Sequence, residues 1–163
     1  MKRTPVSPVR EKSHRLPKEN YIGKWVDFTL CLSPRISLLN REDIFPKLEE
    51  LLIEASYHYD CDVVVYMFMP DHLHSILASR TSSADPLSAI KRFKQRSGYW
   101  LRQQSVVWQK GFYDHILRRD ADLDHHIRYI LANPIRAGLS STWKAYPFKG
   151  STIHPIDTWE EIP

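Results

Sequence analysis

The chain has 163 residues, 42% hydrophobic and 26% charged, with a formal net charge of +4. That length supports one domain with a full core, and no apolar run approaches the roughly 20 residues of a membrane-spanning helix. Its basic N-terminus lacks the apolar run of a secretory signal, and two cysteines, Cys31 and Cys61, supply neither a disulfide framework nor a thiolate zinc site, so a reducing cytoplasm is expected.

Residues 1–20 carry Lys2, Arg3, Arg10, Lys12, Arg15 and Lys18 among three prolines. They read as a mobile basic arm, either a solubilising tail or a contact for phosphates. Residues 24–33 alternate as a strand that stops at Pro34. Residues 43–59 set Ile44, Leu48, Leu51, Leu52 and Ala55 at helical spacing. A second strand, rich in valine and aromatics, is predicted over 61–69. Pro70-Asp71 signals a turn, with Asp71 a turn residue, and a third strand follows over 72–79. A polar linker leads into a long helix over 86–104, with Pro86 in its first turn. A fourth strand is predicted over 112–118. The last helix starts at Asp120 or Asp122 and ends near Asn133, because the residue before a proline resists helical conformation.

This order predicts an α+β fold: a ferredoxin-like or RRM-like antiparallel sheet with helices packed on one face, plus a C-terminal tyrosine-bearing helix and an extension. The expected division is a basic arm (1–20), a catalytic domain (21–139) and an extension (140–163) that packs on the domain through Trp143, Tyr146, Phe148 and Trp159.

The chemistry concentrates in two places. His72-Leu73-His74 puts two imidazoles on one face of a strand, with Leu73 pointing into the core. Such a pair can hold one divalent cation, or can be two strand histidines bonded to backbone and solvent. On the last helix, His125, Tyr129 and Asn133 recur every four residues and share a face, with His126 beside them. If that helix packs near the third strand, Asn133 would complete an N,N,O set suited to Mg²⁺ or Mn²⁺, and Tyr129 could attack phosphorus in line. Asn133 can also cap its helix.

The segments MPDHLHSIL and WQKGFYDHILRRDADLDHHIRYILANPIRAGL together resemble the single-tyrosine transposases of the HUH endonuclease superfamily, and among them the REP-associated tyrosine transposases. The His-hydrophobic-His motif is His72-Leu73-His74, and the Tyr-Ile-x-x-Asn-Pro pattern is Tyr129 to Pro134. The resemblance spans about residues 22–150. Many members of the family carry glutamine where this chain has the shorter Asn133. What the resemblance implies is metal-dependent nicking and joining of single-stranded DNA, with an adjacent hairpin as partner. Tyr129 would form a 5′-phosphotyrosine link and leave a 3′-hydroxyl. His72, His74 and Asn133 would ligate Mg²⁺ or Mn²⁺. The setting implied is a prokaryotic cytoplasm with activity at the nucleoid, and a monomer is favoured over a dimer.

His125, His126 and His115 are candidates to place phosphate or to assist proton transfer, or else solvent-facing residues. Lys91, Arg92, Lys94 and Arg96 on the long helix, with Arg118 and Arg119 before the last one, are candidate DNA-phosphate contacts. Phe93, Tyr99 and Trp100 between them are read as core, with stacking on unpaired bases the alternative. Two further functional readings stay open: a non-catalytic single-strand-binding module using an RRM-like sheet, and a phosphodiesterase in which water attacks.

Overall fold

The structure, a computed structural model, describes residues 15–118 and 120–159. Strand β1 (Trp25–Ser33) alternates as its sequence requires: Val26, Phe28, Leu30 and Leu32 are buried on one face, while Asp27, Thr29 and Cys31 take the other. Helix α1 (Phe45–His58) buries the stripe Leu48, Leu51, Leu52 and Ala55. Strands β2 (Cys61–Phe68) and β3 (His72–Ser79) follow as an antiparallel pair. Helix α2 (Pro86–Leu101) begins at Asp85, whose carboxylate accepts the Ser88 N–H at 2.9 Å and satisfies one of the free donors of the first turn.

The sheet is antiparallel throughout, with β3 between β1 and β2. The outer edge of β1 takes two short strands in succession, β4 (Val107–Trp108) against Leu32 and Ser33, and β5 (Tyr113–Leu117) against Trp25 to Thr29. A last strand, β6 (Lys149–Gly150), pairs with β2 at the opposite edge. Helices α1 and α2 close the face formed by Val26, Phe28, Leu30, Leu73 and Leu77. The other face carries helix α3 (Asp120–Arg136) and the segment after it: Val65, Met67 and Ile76 pack against Ile130, Leu131, Trp143 and Tyr146. The ferredoxin-like layer thus has its two helices on one face, and the tyrosine-bearing helix lies across the other.

One predicted boundary is corrected. Helix α3 does not end near Asn133 but runs through a buried Pro134 to Arg136. Pro134 has no N–H for the Ile130 carbonyl. The Asn133 side chain turns back instead, its Nδ2 donating to the carbonyls of Tyr129 at 2.8 Å and Ile130 at 3.4 Å. The helix then stops at Gly138, whose φ of +68° is the left-handed conformation that glycine adopts without strain. Of the basic arm, residues 1–14 lie outside the described residues. Arg15 and Lys18 lie against the domain, pairing with Asp114 at 3.0 Å and Asp85 at 2.8 Å.

Candidate active site

The histidine pair stands at the start of β3, held by the connection from β2. Met69 donates to the His72 carbonyl at 2.8 Å, and the Pro70 carbonyl accepts from Leu38 and Leu39, which ties the turn to the body. Leu73 is fully buried between the helices and the sheet, so His72 and His74 project together on the α3 face. Their rings meet edge to face, with centroids 4.8 Å apart.

Each ring has its Nδ1 engaged. His72 Nδ1 donates to Asp71 Oδ1 at 2.7 Å, and Arg35 holds the other carboxylate oxygen at 2.6 Å. Burial alone would raise the Asp71 carboxyl, but the bonds from Arg35 and His72 hold it below the usual carboxylate range. His74 Nδ1 lies 3.0 Å from Thr29 Oγ1, its register partner on β1. His74 is only 7% exposed, and burial, then the neighbouring His72, push its pKa down to about 3. It is therefore neutral at physiological pH, the form that can donate a lone pair to a metal. Asp71, expected as a turn residue, sits in that turn and also orients His72. Neither its role nor that of Thr29 is written in a local motif. The signal that points to Thr29 is the alternation of β1, which sets polar Asp27, Thr29 and Cys31 on the histidine face.

Helix α3 brings Tyr129 to this pair. The Tyr129 ring stands edge-on to His74 with centroids 6.0 Å apart, and the residue is 45% exposed. Arg136 lies over that ring, 4.9 Å from its centroid. Tyr129 opens on a cleft of about 390 Å³ that it lines with His125, Arg128, Ile135, Arg136 and Trp143. The two adjacent histidines part company. His125 faces this cleft, while His126 turns to the sheet, where Asp27 Oδ2 accepts its Nδ1 at 2.6 Å. His115 on β5 stacks on His126 at 5.0 Å and belongs to that second group.

The donor set can be tested against a divalent cation. With both Nδ1 atoms engaged, His72 and His74 each present Nε2. No group of three His, Cys, Asp or Glu side chains arranged to hold a metal ion occurs among the described residues, so no carboxylate or thiolate completes a closed site. Asn133 has its Nδ2 committed to its own helix, and Oδ1 is the end left to act as a ligand. Two imidazoles, one amide oxygen and open positions fit a divalent cation that must also hold a phosphate oxygen.

The candidate phosphate contacts fall in different places. Arg92 and Arg96 pair with Glu54 of α1, and so clamp the two helices on the face away from Tyr129. Lys91 and Lys94 line a groove between α2 and the edge strands. Arg118 follows β5 at the Trp25 end of the sheet, its backbone N–H bonded to Asp122, and Arg119 lies outside the described residues. Of the aromatics on α2, Phe93 is core but Tyr99 is 73% exposed.

A family model described as transposase, IS200-like, matches residues 23–133. A REP-associated tyrosine transposase of Escherichia coli K12 is 26% identical over 132 residues, covering 81% of this chain and 77% of that one. A relative assigned to the same group in Haemophilus influenzae is 27% identical over 144 residues, covering 78% of each chain. Among solved structures, a REP-associated tyrosine transposase bound to a REP hairpin matches with a TM-score of 0.71 at 23% identity, over 95% of this chain and 94% of that one. At that identity the likeness bears on the fold, and it is the fold described above.

Proposed function

We propose that this chain, which belongs to the IS200-like transposase family, nicks and rejoins single-stranded DNA beside a hairpin through a 5′-phosphotyrosine intermediate. The observation that carries the reading is the edge-on approach of Tyr129 to His74, at 6.0 Å, within one chain. A nucleophile and a pair of imidazoles converge where α3 crosses β3, so one copy supplies both and a monomer suffices.

His72, His74 and the Asn133 oxygen would hold Mg²⁺ or Mn²⁺. Bound there, the cation supplies Lewis-acid polarisation of the scissile phosphodiester. The remaining chemistry belongs to the side chains. Tyr129 Oη gives up its proton and bonds to phosphorus, the bond from phosphorus to the 3′ oxygen breaks, and the 3′ oxygen takes up a proton. His125 faces the same cleft and is placed to relay that proton. Arg136 over the Tyr129 ring puts a positive charge where the phenolate and phosphate gather negative charge. Attack by a 3′-hydroxyl on the phosphotyrosine reverses the step and joins strands. A hairpin partner is supported by the structural relative bound to a REP hairpin. No described helix is long and apolar enough to cross a membrane, and action on DNA in the cytoplasm, at the nucleoid, is part of the proposal. The RRM-like alternative needs an open sheet face, and that face is covered by α3 and residues 140–159.

The test is to incubate the protein with Mg²⁺ or Mn²⁺ and single-stranded hairpin substrates and to trap covalent adducts. The natural chain should form them, chelation should prevent them, and Tyr129→Phe should form none while binding DNA with affinity within about twofold. Undiminished adducts in Tyr129→Phe would remove Tyr129 as nucleophile. Cleavage without any adduct would transfer the attack to water.

A further inference from the structure

Between α2 and the β4–β5 edge lies a groove of about 570 Å³ that the chemistry of Tyr129 does not use. Lys91, Lys94, Arg102 and Lys110 line it together with Arg15, and among the described residues no acidic side chain does. Arg15 is anchored by Asp114 and stacks 3.8 Å over the Phe112 ring, where Lys94 also approaches to 5.5 Å. Burial, and then the charge of Arg15, lower the pKa of Lys94. The groove is also aromatic. Tyr99 stands 73% exposed on its α2 wall, and Gly98, lacking a side chain, leaves the floor open down to Trp108.

The groove lies around the β4–β5 edge of the sheet from the candidate active site. Tyr113, Thr29 and His74 form one register row across β5, β1 and β3, so their side chains share a face. At strand spacing, Tyr113 stands about 10 Å from His74 at the sheet edge. It is a large aromatic left 72% exposed among the described residues. Beside it, residues 109–112 lie opposite only Leu30 and Cys31, so the edge bulges outward, and Phe112 turns to the other face and into the groove. A path runs from the histidine pair over Tyr113 and around the bulge to Lys110, Lys94 and Tyr99. It alternates flat rings with cations.

We propose that this groove binds the single-stranded flank of the DNA leaving the cleavage point, with bases stacked on Tyr113 and Tyr99 and phosphates on Lys91, Arg102 and Lys110. The proposal rests on the reading of the site given above, in that it takes the DNA to start at His74. Unpaired bases offer ring faces to exposed aromatics, whereas a duplex keeps them stacked inside.

The test uses the full chain carrying Tyr129→Phe, without divalent metal, and fluorescein-labelled oligothymidylate, with affinity and its salt dependence read by anisotropy. Tyr99→Ala and Tyr113→Ala should each weaken binding about fivefold or more. Lys91→Gln and Arg102→Gln should each lower the slope of log affinity against log salt by about 0.7. Tyr57→Ala, an exposed aromatic on α1 outside the groove, serves as the control and should change neither. Unaltered affinity and slope in the groove variants would overturn the proposal, as would equal weakening by Tyr99→Ala on a blunt duplex. Neither cleavage nor metal enters this readout. Loss of the Tyr129 assignment with the groove effects intact would therefore strike only the nicking reaction, and the converse only the groove.

Discussion

At the scale of single residues, the histidines are told apart by what holds Nδ1. Asp71 and Thr29 take it in His72 and His74, leaving Nε2 as the nitrogen available to a ligand, whereas His126 spends it on Asp27 and stacks on His115. Asp27 is the costly member of that second group. Burial raises its carboxyl above the ordinary value of 3.8, the bond and charge of His126 and the charge of His115 only partly offset this, and its Oδ1 has no hydrogen-bond partner among the described residues. A carboxyl with a raised folded-state pKa binds its proton more tightly in the folded protein. Stability therefore falls as pH rises from the unfolded value through the folded one, and stays lower above it. Asp27→Asn cannot ionise and keeps an acceptor for His126. It should gain stability relative to the natural chain between pH 3 and pH 7 in urea unfolding, the window above about 3.9 being where the carboxyl ionises when unfolded. A difference that does not change with pH would mean that Asp27 is not strained by its burial.

Among the elements, α3 shows how much of the molecule its sequence announces. The four-residue spacing of His125, Tyr129 and Asn133 is readable because helical geometry alone puts them on one face. The stop at Pro134 is misread, because the rule that disfavours helix before proline counts only local sterics and the missing N–H. Here the Asn133 side chain supplies a donor to the carbonyls of Tyr129 and Ile130, and Pro134 itself is buried. The reach of Thr29 to His74 is equally silent in the sequence, since 45 residues separate them and only strand register brings them together. The compensation on α3 predicts coupling. Asn133→Ala should cost about 1 kcal/mol in the natural chain. It should cost about 0.5 kcal/mol less or better beside Pro134→Ala, where a backbone N–H again serves Ile130. A double-mutant cycle by urea unfolding measures this, and additive effects would show that the amide does not replace the lost donor.

Taken whole, the molecule is one sheet used on both faces and at both edges. The histidine face would be an open platform were it not for α3 and residues 140–159, which cover it, α3 bringing Tyr129 to the histidine pair. Nothing periodic in that last segment foretells its course. Its anchors are long-range: Tyr146 Oη donates to the Phe68 carbonyl at 2.7 Å, and Phe68 N–H donates to the Phe148 carbonyl at 2.9 Å. At Gly150 the segment passes so close to β2 that an added Cβ would come within 2.0 Å of Tyr66 Oη. Tyr66 cannot easily retreat, being buried and bonded to Glu49 on α1, on the far side of the sheet. Gly150→Ala must therefore push β6 off β2 rather than displace the ring. We expect a loss of about 1–3 kcal/mol in urea unfolding, the usual cost of overpacking. Because β6 adjoins the Phe68–Phe148 bond, hydrogen exchange at the Phe68 amide should quicken while that of α2 stays slow. Exchange that rises equally in α2 would mean that the covering segment and the first helical layer unfold as one unit. The core under α1 and α2 and the layer that carries Tyr129 would then not be separable.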